Sequence, residues 1–514
     1  MNGEPWLVHQ FVERVAERRP EAPFLVQEGA TTTYGEVEAG ANRIAHLLQG
    51  QRIGRGERVG LLAHNSRTYV EAYYGILKSG AIAVPLNTAA DGPTLRGFLE
   101  DCGARALVAG PRFEKAVSQA IGALPDLSLL LVPDPARIEP VPAHIHALPL
   151  AAAEAESAER PEAGLVDLDV ASIIYTSGST GRPRGAVLSH LNLVANTRSI
   201  VNYLGLSAAD RVLDVLPFYY VYGKSLLNTH AFAGGSVAVE NRFLFPNTAL
   251  DTLEDEACTG LSGVPSTFAI LLNRSNLAQR KLPALRYVTQ AGGGMSPELT
   301  RRLIAALPGK RIFIMYGATE AGARLSWLDP DRLQDKLGSI GRAIPNVELS
   351  VRADDGRECE VDEVGEICAR GSNIMSGYWG DPDETAKVLD RHGYHTGDLG
   401  RRDADGFFWV VGRKKDMIKA GAHRISPKEI EDAMLEFPEV HEAAVIGVPD
   451  EILGEAIKAF VVFRPGTTPD LEALKAFLGR RLPPYKLPGH YSVREDLPKN
   501  ESGKIMKQAL REQA

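Results

Sequence analysis

Residues 175–185 read Tyr-Thr-Ser-Gly-Ser-Thr-Gly-Arg-Pro-Arg-Gly, and the rest of the chain is organised around them. They follow a short apolar run, residues 170–174, which predicts a buried strand. The glycines let backbone N–H groups turn inward, the hydroxyls add uncharged donors, and arginine meets phosphate with two parallel hydrogen bonds. Two interpretations stay open here: a loop that wraps a triphosphate, or an ordinary surface loop of small residues. The spacing differs from the P-loop, because no Gly-Lys-Ser/Thr triplet follows.

The composition is that of an ordinary globular protein with more than one domain. Its 514 residues exceed the size at which a single core usually stops growing. Hydrophobic residues make up 44% and charged residues 24%, which is typical of globular proteins. A net charge of −8 argues against a general nucleic-acid-binding surface, so we expect no nucleic-acid partner.

The cysteines and the absence of targeting patterns predict a cytoplasmic protein. No Cys-x-x-Cys pair is present, so reduced thiols in a cytosolic protein are the simplest interpretation. Residues 1–6 have neither the basic start nor the apolar core of a signal peptide. No apolar run approaches the roughly 18 residues of a membrane span, and none is expected. The cysteines are Cys102, Cys258, Cys359 and Cys368.

The order of predicted elements indicates an α/β fold. Residues 58–63 predict a buried strand, residues 69–78 a helix and residues 81–85 a second strand. A strand, a helix and a strand at this spacing form a parallel crossover unit. Two capping boxes are also predicted, at Thr33 with Glu36 and at Ser426 with Glu429.

Two later segments carry residues suited to a nucleotide. Three glycines, Gly292 to Gly294, follow a predicted strand and let a flat ring lie against the backbone; a plain tight turn is the alternative. After the next predicted strand, Tyr316 is suited to stack on adenine and Thr319 to donate to the α-phosphate. Glu320 is suited to hold Mg²⁺ together with phosphate oxygens and waters, although a solvated glutamate is the alternative.

The C-terminal part adds three more candidates. Asp398 lies in a glycine-containing turn, where a carboxylate suits acceptance from ribose hydroxyls. Residues 407–416 pass from an aromatic strand to a glycine and a cluster of charges, a composition suited to an exposed hinge. Lys504 follows Ser-Gly on a turn and is placed to project into a cleft, whereas most C-terminal lysines are simply solvated.

These motifs resemble those of the adenylate-forming superfamily, which contains acyl-CoA synthetases, peptide-synthetase adenylation domains and luciferases. The resemblance runs from about Thr32 to Lys504 and includes the loop above, Tyr-Gly-x-Thr-Glu at 316–320 and Pro-Lys-x-x-x-Gly-Lys at 498–504. Three positions depart from the family pattern: Arg184 replaces the usual lysine, Tyr220 a frequent histidine and Ala422 a frequent second glycine.

The resemblance implies a fold class and a domain organisation. The fold is a large α/β N-terminal domain, with parallel-sheet βαβ subdomains plus a small β-rich subdomain, followed by a small mobile α+β C-terminal domain. The implied boundaries are residues 1–411 for the N-terminal AMP-binding domain, 412–416 for the hinge and 417–514 for the C-terminal domain.

The resemblance also implies residue roles. Lys504 is the implied catalytic lysine, Arg184, Thr319 and Glu320 complete the catalytic set, Glu320 also holds the metal, and Lys415 is the hinge residue. The residues implied to bind ATP or AMP are Thr176, Ser177, Gly178, Ser179, Thr180, Gly181, Gly292, Gly293, Gly294, Tyr316, Gly317, Ala318, Thr319, Asp398, Arg413 and Lys504. The residues implied to meet the acceptor thiol are Lys419, Gly421, Ala422, His423 and Arg424.

An aromatic run indicates where the acid binds. Residues 218–222 read Phe-Tyr-Tyr-Val-Tyr after a predicted strand, where α/β proteins tend to bind ligands; an ordinary aromatic core patch is the equal alternative. No carboxylate here is suited to pair with an α-ammonium, so the acid is expected not to be an α-amino acid. Lys224 either meets a polar group of the acid or is paired locally outside the pocket. The predicted pocket residues are Tyr219, Tyr220, Lys224, Val264, Gly292, Gly317 and Ala321, and they favour a medium aliphatic or aromatic acid.

The expected activity is ATP-dependent conversion of a small carboxylic acid to an acyl-adenylate, with release of pyrophosphate and transfer to the thiol of coenzyme A. ATP, Mg²⁺ and coenzyme A are therefore the expected cofactors. The alternative acceptor is the phosphopantetheine of an acyl carrier protein, because both acceptors present the same arm. Two other hypotheses are an O₂-dependent oxidation of the adenylate, as in luciferases, and a non-enzymatic nucleotide-binding module; the full set of charged motifs argues against the latter.

Overall fold

The computed structural model describes residues 3–176, 183–420, 423–451, 454–464, 466–499 and 505–513, in which the chain forms strands and α-helices. The strands are β1 Pro23–Gln27, β2 Ala30–Thr33, β3 Arg58–Leu62, β4 Ile82–Pro85, β5 Ala106–Ala109, β6 Leu129–Val132, β7 His146–Pro149, β8 Val170–Thr176, β9 Arg184–Ser189, β10 Arg211–Asp214, β11 Ser236–Val239, β12 Gly260–Gly263, β13 Tyr287–Gln290, β14 Arg311–Tyr316, β15 Ser326–Leu328, β16 Arg342–Ala343, β17 Val347–Arg352, β18 Gly365–Gly371, β19 Gly377–Tyr378, β20 Leu389–Asp390, β21 Gly393–Arg402, β22 Phe408–Arg413, β23 Ile418–Ala420, β24 His423–Ile425, β25 Val440–Asp450, β26 Gly454–Phe463 and β27 His490–Val493. The α-helices are α1 Gln10–Arg18, α2 Tyr34–Gly50, α3 Arg67–Ser79, α4 Gly92–Cys102, α5 Glu114–Ile121, α6 His190–Leu204, α7 Val221–Ala233, α8 Pro246–Asp255, α9 Pro265–Arg274, α10 Pro297–Ala306, α11 Pro382–Val388, α12 Pro427–Leu435, α13 Leu471–Gly479 and α14 Lys507–Glu512.

Two large sheets, each with a parallel centre, form the bulk of the molecule. The first has the order β16-β15-β14-β13-β12-β10-β11-β1-β2 and is parallel from β14 to β1. The second has the order β19-β9-β8-β4-β3-β5-β6-β7 and is parallel from β8 to β7. The predicted crossover unit is confirmed, because β3 and β4 pair in parallel across α3. Strands buried on both faces read as continuous apolar runs, as β4, β5 and β6 do here.

Two smaller sheets complete the fold. Strands β17, β18, β20, β21 and β22 form an antiparallel sheet, the β-rich part that the sequence indicates. Strands β23 to β27 form the C-terminal sheet, which packs with α12 and α13 around its own apolar core. The predicted fold class is confirmed. The chain passes from one small sheet to the other between Arg413 and Ile418, while the boundaries at 411 and 417 and the mobility of the C-terminal part stay predictions.

The helix starts show where local sequence decides structure and where it does not. Thr33 and Glu36 form the predicted capping box at α2, each accepting from the other's backbone N–H. The capping box predicted at Ser426 is wrong, because the Ser426 side chain makes no capping hydrogen bond at α12. Its hydroxyl donates instead to the carbonyl of Val411, across the junction between the two small sheets. A tertiary acceptor has displaced the local one.

All four cysteines are buried and unpaired. Among the residues that the structure describes, no helix has both the length and the apolar character needed to cross a membrane.

Candidate active site at the carboxyl ends of the parallel strands

The first large sheet brings the aromatic run, the glycine turn and residues 316–320 to the same side. Strands β10, β12, β13 and β14 run parallel, so their carboxyl ends lie on the same side of the sheet. The aromatic run follows β10, Val264 follows β12, the glycine turn follows β13 and Tyr316 ends β14. Ligands of open α/β sheets bind at this kind of edge.

The glycine turn after β13 contacts two other elements. Gly292 has a φ of +80°, and a Cβ there would lie 3.0 Å from Val264 Cγ1, so the two predicted pocket residues are neighbours. Gln290 Nε2 donates to the carbonyl of Gly293 over 2.8 Å and stabilises the turn. A Cβ on Gly294 would lie 3.2 Å from Lys428 Cε of α12. The glycine backbone that was predicted to lie against a flat ring is therefore exposed, and Lys428 of the C-terminal region is close to it.

Asp398 joins the β-rich sheet to the end of β14. Its Oδ2 accepts from the Tyr316 hydroxyl at 2.6 Å, and its Oδ1 lies 2.7 Å from Nε of Arg413. Burial and the neighbouring Asp398 carboxylate raise the pKa of Tyr316 well above its ordinary value. Each carboxylate oxygen has a second lone pair, so Asp398 retains acceptor capacity for ribose hydroxyls while it orients Tyr316 and Arg413. Three residues that were predicted separately to bind nucleotide thus form one hydrogen-bonded group.

A second group forms where β9 meets β19, and two of its members were missed by the sequence analysis. The Tyr378 hydroxyl donates to Glu320 Oε1 over 2.8 Å. The guanidinium carbon of Arg184 lies 5.6 Å from the centroid of the Tyr378 ring, and Arg184 Nη2 lies 2.7 Å from Glu384 Oε2. Burial, with the Glu320 carboxylate beside it, raises the pKa of Tyr378. The sequence offered no signal for Tyr378 and Glu384, because their partners are nearly 60 and 200 residues away.

The segment after Tyr316 is set by close backbone packing. A Cβ on Gly317 would lie 1.9 Å from the carbonyl oxygen of Ala323, so only glycine fits there. Ala318 precedes a short 3₁₀ turn, Thr319–Ala321, which places Thr319 and Glu320 at partly exposed positions. Ala321, predicted to line the acid pocket, is fully buried in the apolar core of the β-rich part.

The aromatic run is held by a buried polar network. Asn65, between β3 and α3, donates to Asp214 Oδ2 at 3.0 Å and to the carbonyl of Leu216 at 2.8 Å, and accepts from the N–H of Phe218 at 2.7 Å. Asp214 is completely buried, and burial raises its pKa well above the ordinary value. The rings of Tyr219 and Tyr220 lie 4.5 Å apart. Asp214 therefore stabilises the position of the aromatic run, residues 218–222, through Asn65 and Leu216.

Lys224 points away from the sheet edge. Tyr222, two positions earlier on α7, hydrogen-bonds Thr289 of β13, whereas Lys224 Nζ donates to the Tyr69 hydroxyl of α3 at 2.5 Å. The ammonium also lies 3.5 Å from the centroid of the Tyr73 ring. Residues two apart on a helix face opposite ways. Lys224 therefore has the local pairing that the sequence analysis gave as the alternative. Tyr222, which was not among the predicted pocket residues, is the residue of α7 that faces β13.

Three of the five predicted thiol-acceptor residues lie on the paired strands β23 and β24. Lys419, His423 and Arg424 are exposed there, and the His423 ring stacks on Tyr485 with centroids 4.2 Å apart. Lys415 lies in the 3₁₀ turn Lys414–Asp416, and partial desolvation of its ammonium, with several nearby cations, lowers its pKa. Gly421 and Ala422 lie outside the described residues.

Two other predicted segments also lie outside the described residues, although their ends are described. Residues 177–182, with Ser177, Gly178, Ser179, Thr180 and Gly181, connect β8 to β9, whose ends Thr176 and Arg184 are paired. Residues 500–504, with Lys504, connect Lys499 to Ile505, which form an antiparallel bridge. The described residues that flank each segment are therefore neighbours.

Comparisons with known proteins place this site in context. A family model described as "AMP-binding enzyme" matches residues 12–379, and one described as "AMP-binding enzyme C-terminal domain" matches residues 429–504. An indoleacetate–CoA ligase of Aromatoleum aromaticum is 32% identical, over 98% of this chain and 97% of its own. The fatty acid–[acyl-carrier-protein] ligase ScoC of Streptomyces coeruleorubidus is 31% identical, over 97% and 94%. The crystal structure of the anthranilate CoA ligase AuaEII with anthranoyl-AMP superposes with a TM-score of 0.90 at 27% identity, covering 99% of this chain and 97% of that one.

Proposed function

Because this chain belongs to the AMP-binding enzyme family, we propose that it activates a carboxylic acid with ATP and transfers the acyl group to the thiol of coenzyme A. The observation that carries the proposal is that a cation and a carboxylate lie on either side of one tyrosine. Arg184, a cation suited to phosphate, and Glu320, a carboxylate suited to a metal, contact the same residue, Tyr378. The hydrogen-bonded group of Tyr316, Asp398 and Arg413, which is proposed to bind the nucleotide, lies beside them.

The chemistry requires positive charge rather than a nucleophilic side chain. The carboxylate of the acid attacks the α-phosphate of ATP, its oxygen–phosphorus bond forms, and the bond to pyrophosphate breaks. Three difficulties must be overcome: repulsion between two anions, charge developing on the α-phosphate and charge on the departing pyrophosphate. Arg184 supplies one fixed cation, Thr319 a hydroxyl donor, and Lys504, in the role its motif implies, a second cation.

Glu320 fits a magnesium site of the kind that nucleotides bring with them. Among the described residues there is no cluster of three or more histidine, cysteine, aspartate or glutamate side chains suited to a metal. A single carboxylate that shares the ion with phosphate oxygens and waters is the arrangement Mg²⁺ prefers. Bound there, Mg²⁺ would withdraw negative charge from the phosphate oxygens.

The second step passes the acyl group to a thiol. The thiol releases its proton to solvent, its sulfur attacks the acyl carbon of the adenylate, and AMP leaves with its electron pair on the phosphate oxygen. The exposed hairpin of Lys419, His423 and Arg424 is proposed to meet the acceptor after rotation about Lys415. Coenzyme A is the main acceptor proposed; carrier-protein phosphopantetheine is the alternative, which the similarity to a fatty acid–[acyl-carrier-protein] ligase favours.

The proposed acid is a medium aliphatic or aromatic carboxylic acid and not an α-amino acid. Tyr219, Tyr220, Tyr222 and Val264 supply apolar surface beside exposed glycine backbone. Asp214, the carboxylate nearest in sequence to the aromatic run, is occupied by Asn65 and by the N–H of Leu216. An α-ammonium would therefore have to displace existing hydrogen bonds to pair with it.

A pyrophosphate-release screen over a panel of carboxylic acids tests the proposal. We expect release with ATP and Mg²⁺ for some aliphatic or aromatic acids, and thioester formation when coenzyme A is added. Replacing coenzyme A by a pantetheinylated carrier protein separates the two acceptors. No pyrophosphate or AMP with any acid would refute the activity.

Lys504→Ala divides the two steps. We expect it to abolish pyrophosphate release by removing a cation from the transition state, and to spare thioester formation from supplied acyl-AMP. Lys499→Ala is the matched control, because Lys499 is already paired with Glu442 and Asp496. Equal loss of both half-reactions in Lys504→Ala would contradict the role of Lys504.

A further inference from the structure

We propose that Tyr378 and Glu384 are positioning residues that hold Arg184 and Glu320 as one unit for binding ATP. The proposal rests on the proposed function, since it assigns Arg184 to phosphate and Glu320 to the metal. Glu384 anchors the guanidinium of Arg184, and Tyr378 lies between that guanidinium and the carboxylate of Glu320. The four side chains form a continuous line of contacts from α11 to the end of β14.

Backbone pairing places Arg184 beside Tyr378. Strand β19 pairs with β9, so that Tyr378 lies opposite Ala186, and the N–H of Trp379 donates to the carbonyl of Gly185. Arg184 and Ala186 share one face of β9, because side chains alternate along a strand. Tyr378 is thus the diagonal neighbour of Arg184, at a distance that a long side chain spans.

The start of α11 places Glu384. Asp381 caps the helix by accepting from the N–H of Glu384, which puts Glu384 in the first turn. The side chain of Arg184 is 15% exposed and that of Glu384 22%, so the ion pair is largely withdrawn from water. An ion pair in such surroundings is screened less than one at the surface.

The contacts of Arg184 fix the orientation of its guanidinium through one of its N–H-bearing nitrogens. A guanidinium has five N–H donors in a planar fork, and Glu384 contacts it through Nη2. The Tyr378 ring restricts movement of the guanidinium toward one side. Within the part of the chain that the structure describes, Glu384 and Tyr378 contact the guanidinium, and a fork of five donors has capacity for a phosphate as well.

Tyr378 performs the corresponding task for the carboxylate. Its hydroxyl donates to Oε1 of Glu320, and the N–H of Met375, three residues before it, donates to the carbonyl of Glu320. The segment of Met375 to Tyr378 therefore holds both the backbone and the side chain of Glu320. Loss of the hydroxyl alone would free the carboxylate and leave the ring against Arg184.

Three variants test the proposal: Glu384→Ala, Glu384→Gln and Tyr378→Phe. Lys387→Ala is the matched control, because Lys387 pairs with the same Glu384 carboxylate but is 66% exposed. The measurements are KM and kcat in pyrophosphate release, the Kd for ATP with and without Mg²⁺ by calorimetry, and the melting temperature.

We expect Glu384→Ala to raise the KM and the Kd for ATP by about tenfold, the ratio that one charge-assisted hydrogen bond represents, with the KM for the acid unchanged. Glu384→Gln, which retains a hydrogen-bonding side chain, should show a smaller rise. Tyr378→Phe should lower kcat and reduce the gain in ATP affinity that Mg²⁺ brings. Lys387→Ala should resemble the wild type.

The proposal is overturned if Glu384→Ala and Tyr378→Phe bind ATP as the wild type does, or if they change only the melting temperature. Equal changes in the KM values for acid and ATP would also overturn it, because that is the pattern of a merely structural role. If the wild type releases no pyrophosphate with any acid, the proposed function fails by itself. Calorimetry with ATP still decides the positioning role in that case.

Discussion

Arg184 was predicted to bind nucleotide phosphate, and Lys224 either to meet the acid or to be paired locally; the structure gives these two cations opposite surroundings. The Arg184 side chain is 15% exposed, has a carboxylate partner in Glu384 and lies at the end of a strand. Lys224 is 2% exposed, with the rings of Tyr69 and Tyr73 and the Tyr69 hydroxyl around its ammonium. The difference shows that a cation's environment, more than its neighbourhood in sequence, decides whether it is available to a substrate.

The cause of the difference is desolvation. A buried ammonium without a carboxylate partner loses its hydration and tends toward the neutral form. Burial accordingly lowers the pKa of Lys224 well below its ordinary value. The buried Lys224 nitrogen therefore serves packing between α7 and α3, whereas Arg184 is the cation proposed to bind phosphate.

The largest expected effect is on Arg184, and it tests the phosphate side of the comparison. Arg184→Ala removes a fixed cation from the transition state and should lower kcat/KM for pyrophosphate release by roughly 10²–10³-fold. The measurement is the steady-state rate at varied ATP. Arg370→Ala is the control, since Arg370 makes an exposed ion pair with Glu348 at a similar distance, 2.8 Å. A wild-type rate for Arg184→Ala would break the comparison.

The next largest effect is expected for a change at Tyr69, which tests the buried surroundings of Lys224. Tyr69→Phe leaves the Lys224 ammonium without its hydrogen-bond acceptor and should lower the free energy of unfolding by about 1–3 kcal/mol. Denaturant titration measures the loss.

A double-mutant cycle isolates the contact between Tyr69 and Lys224. In a Lys224→Met background Tyr69→Phe should cost less, because no amine is left stranded. The bond from Tyr69 to the carbonyl of Phe218 is lost in both backgrounds and cancels in the cycle. A coupling energy of zero would show that the contact carries no energy.

The pH dependence of stability gives a third test. The folded-state pKa of Lys224 lies below its unfolded value of about 10.4, so between the two values only the unfolded chain holds the proton. The free energy of unfolding of the wild type should therefore rise with pH in that window by up to about 1.4 kcal/mol per unit, and the penalty should be complete below the folded-state pKa. Lys224→Met should lack this component, so its advantage over the wild type should shrink toward pH 10. Parallel stability curves would contradict the burial of a depressed amine.

The smallest expected effect is that of Arg184→Lys. A lysine retains the charge but loses the planar fork that Glu384 and phosphate share, so kcat/KM should fall by roughly tenfold or less. Steady-state kinetics of the Lys and Ala variants side by side give the measurement. A Lys variant as inactive as the Ala variant would show that geometry, rather than charge, dominates at this position.

Much of the fold was predictable because it depends on local patterns. The crossover unit of β3, α3 and β4 follows from apolar periodicity, and the start of α2 follows from Thr33 and Glu36. The predicted capping box at Ser426 is wrong for a reason that the sequence does not contain: the Val411 carbonyl lies within reach of the hydroxyl. Local rules hold where no distant group competes.

The candidate site divides in the same way. Tyr316, Glu320 and Asp398 were predictable as residue types at strand ends and in glycine turns. Tyr378 and Glu384 were not, because a tyrosine and a glutamate near a helix start have many ordinary roles. Only the pairing of β19 with β9 brings them to Arg184 and Glu320.

The sequence by itself determined the parallel α/β framework, the family and the chemical types at the site, since hydrophobic period, glycine placement and charged motifs are local properties. Tertiary structure alone decided the surroundings of each cation. The direction of Lys224 depends on how α7 lies against α3, and the anchoring of Arg184 depends on a pairing across some 190 residues. Burial and long-range strand pairing are properties of the assembled molecule, so no stretch of the chain carries them alone.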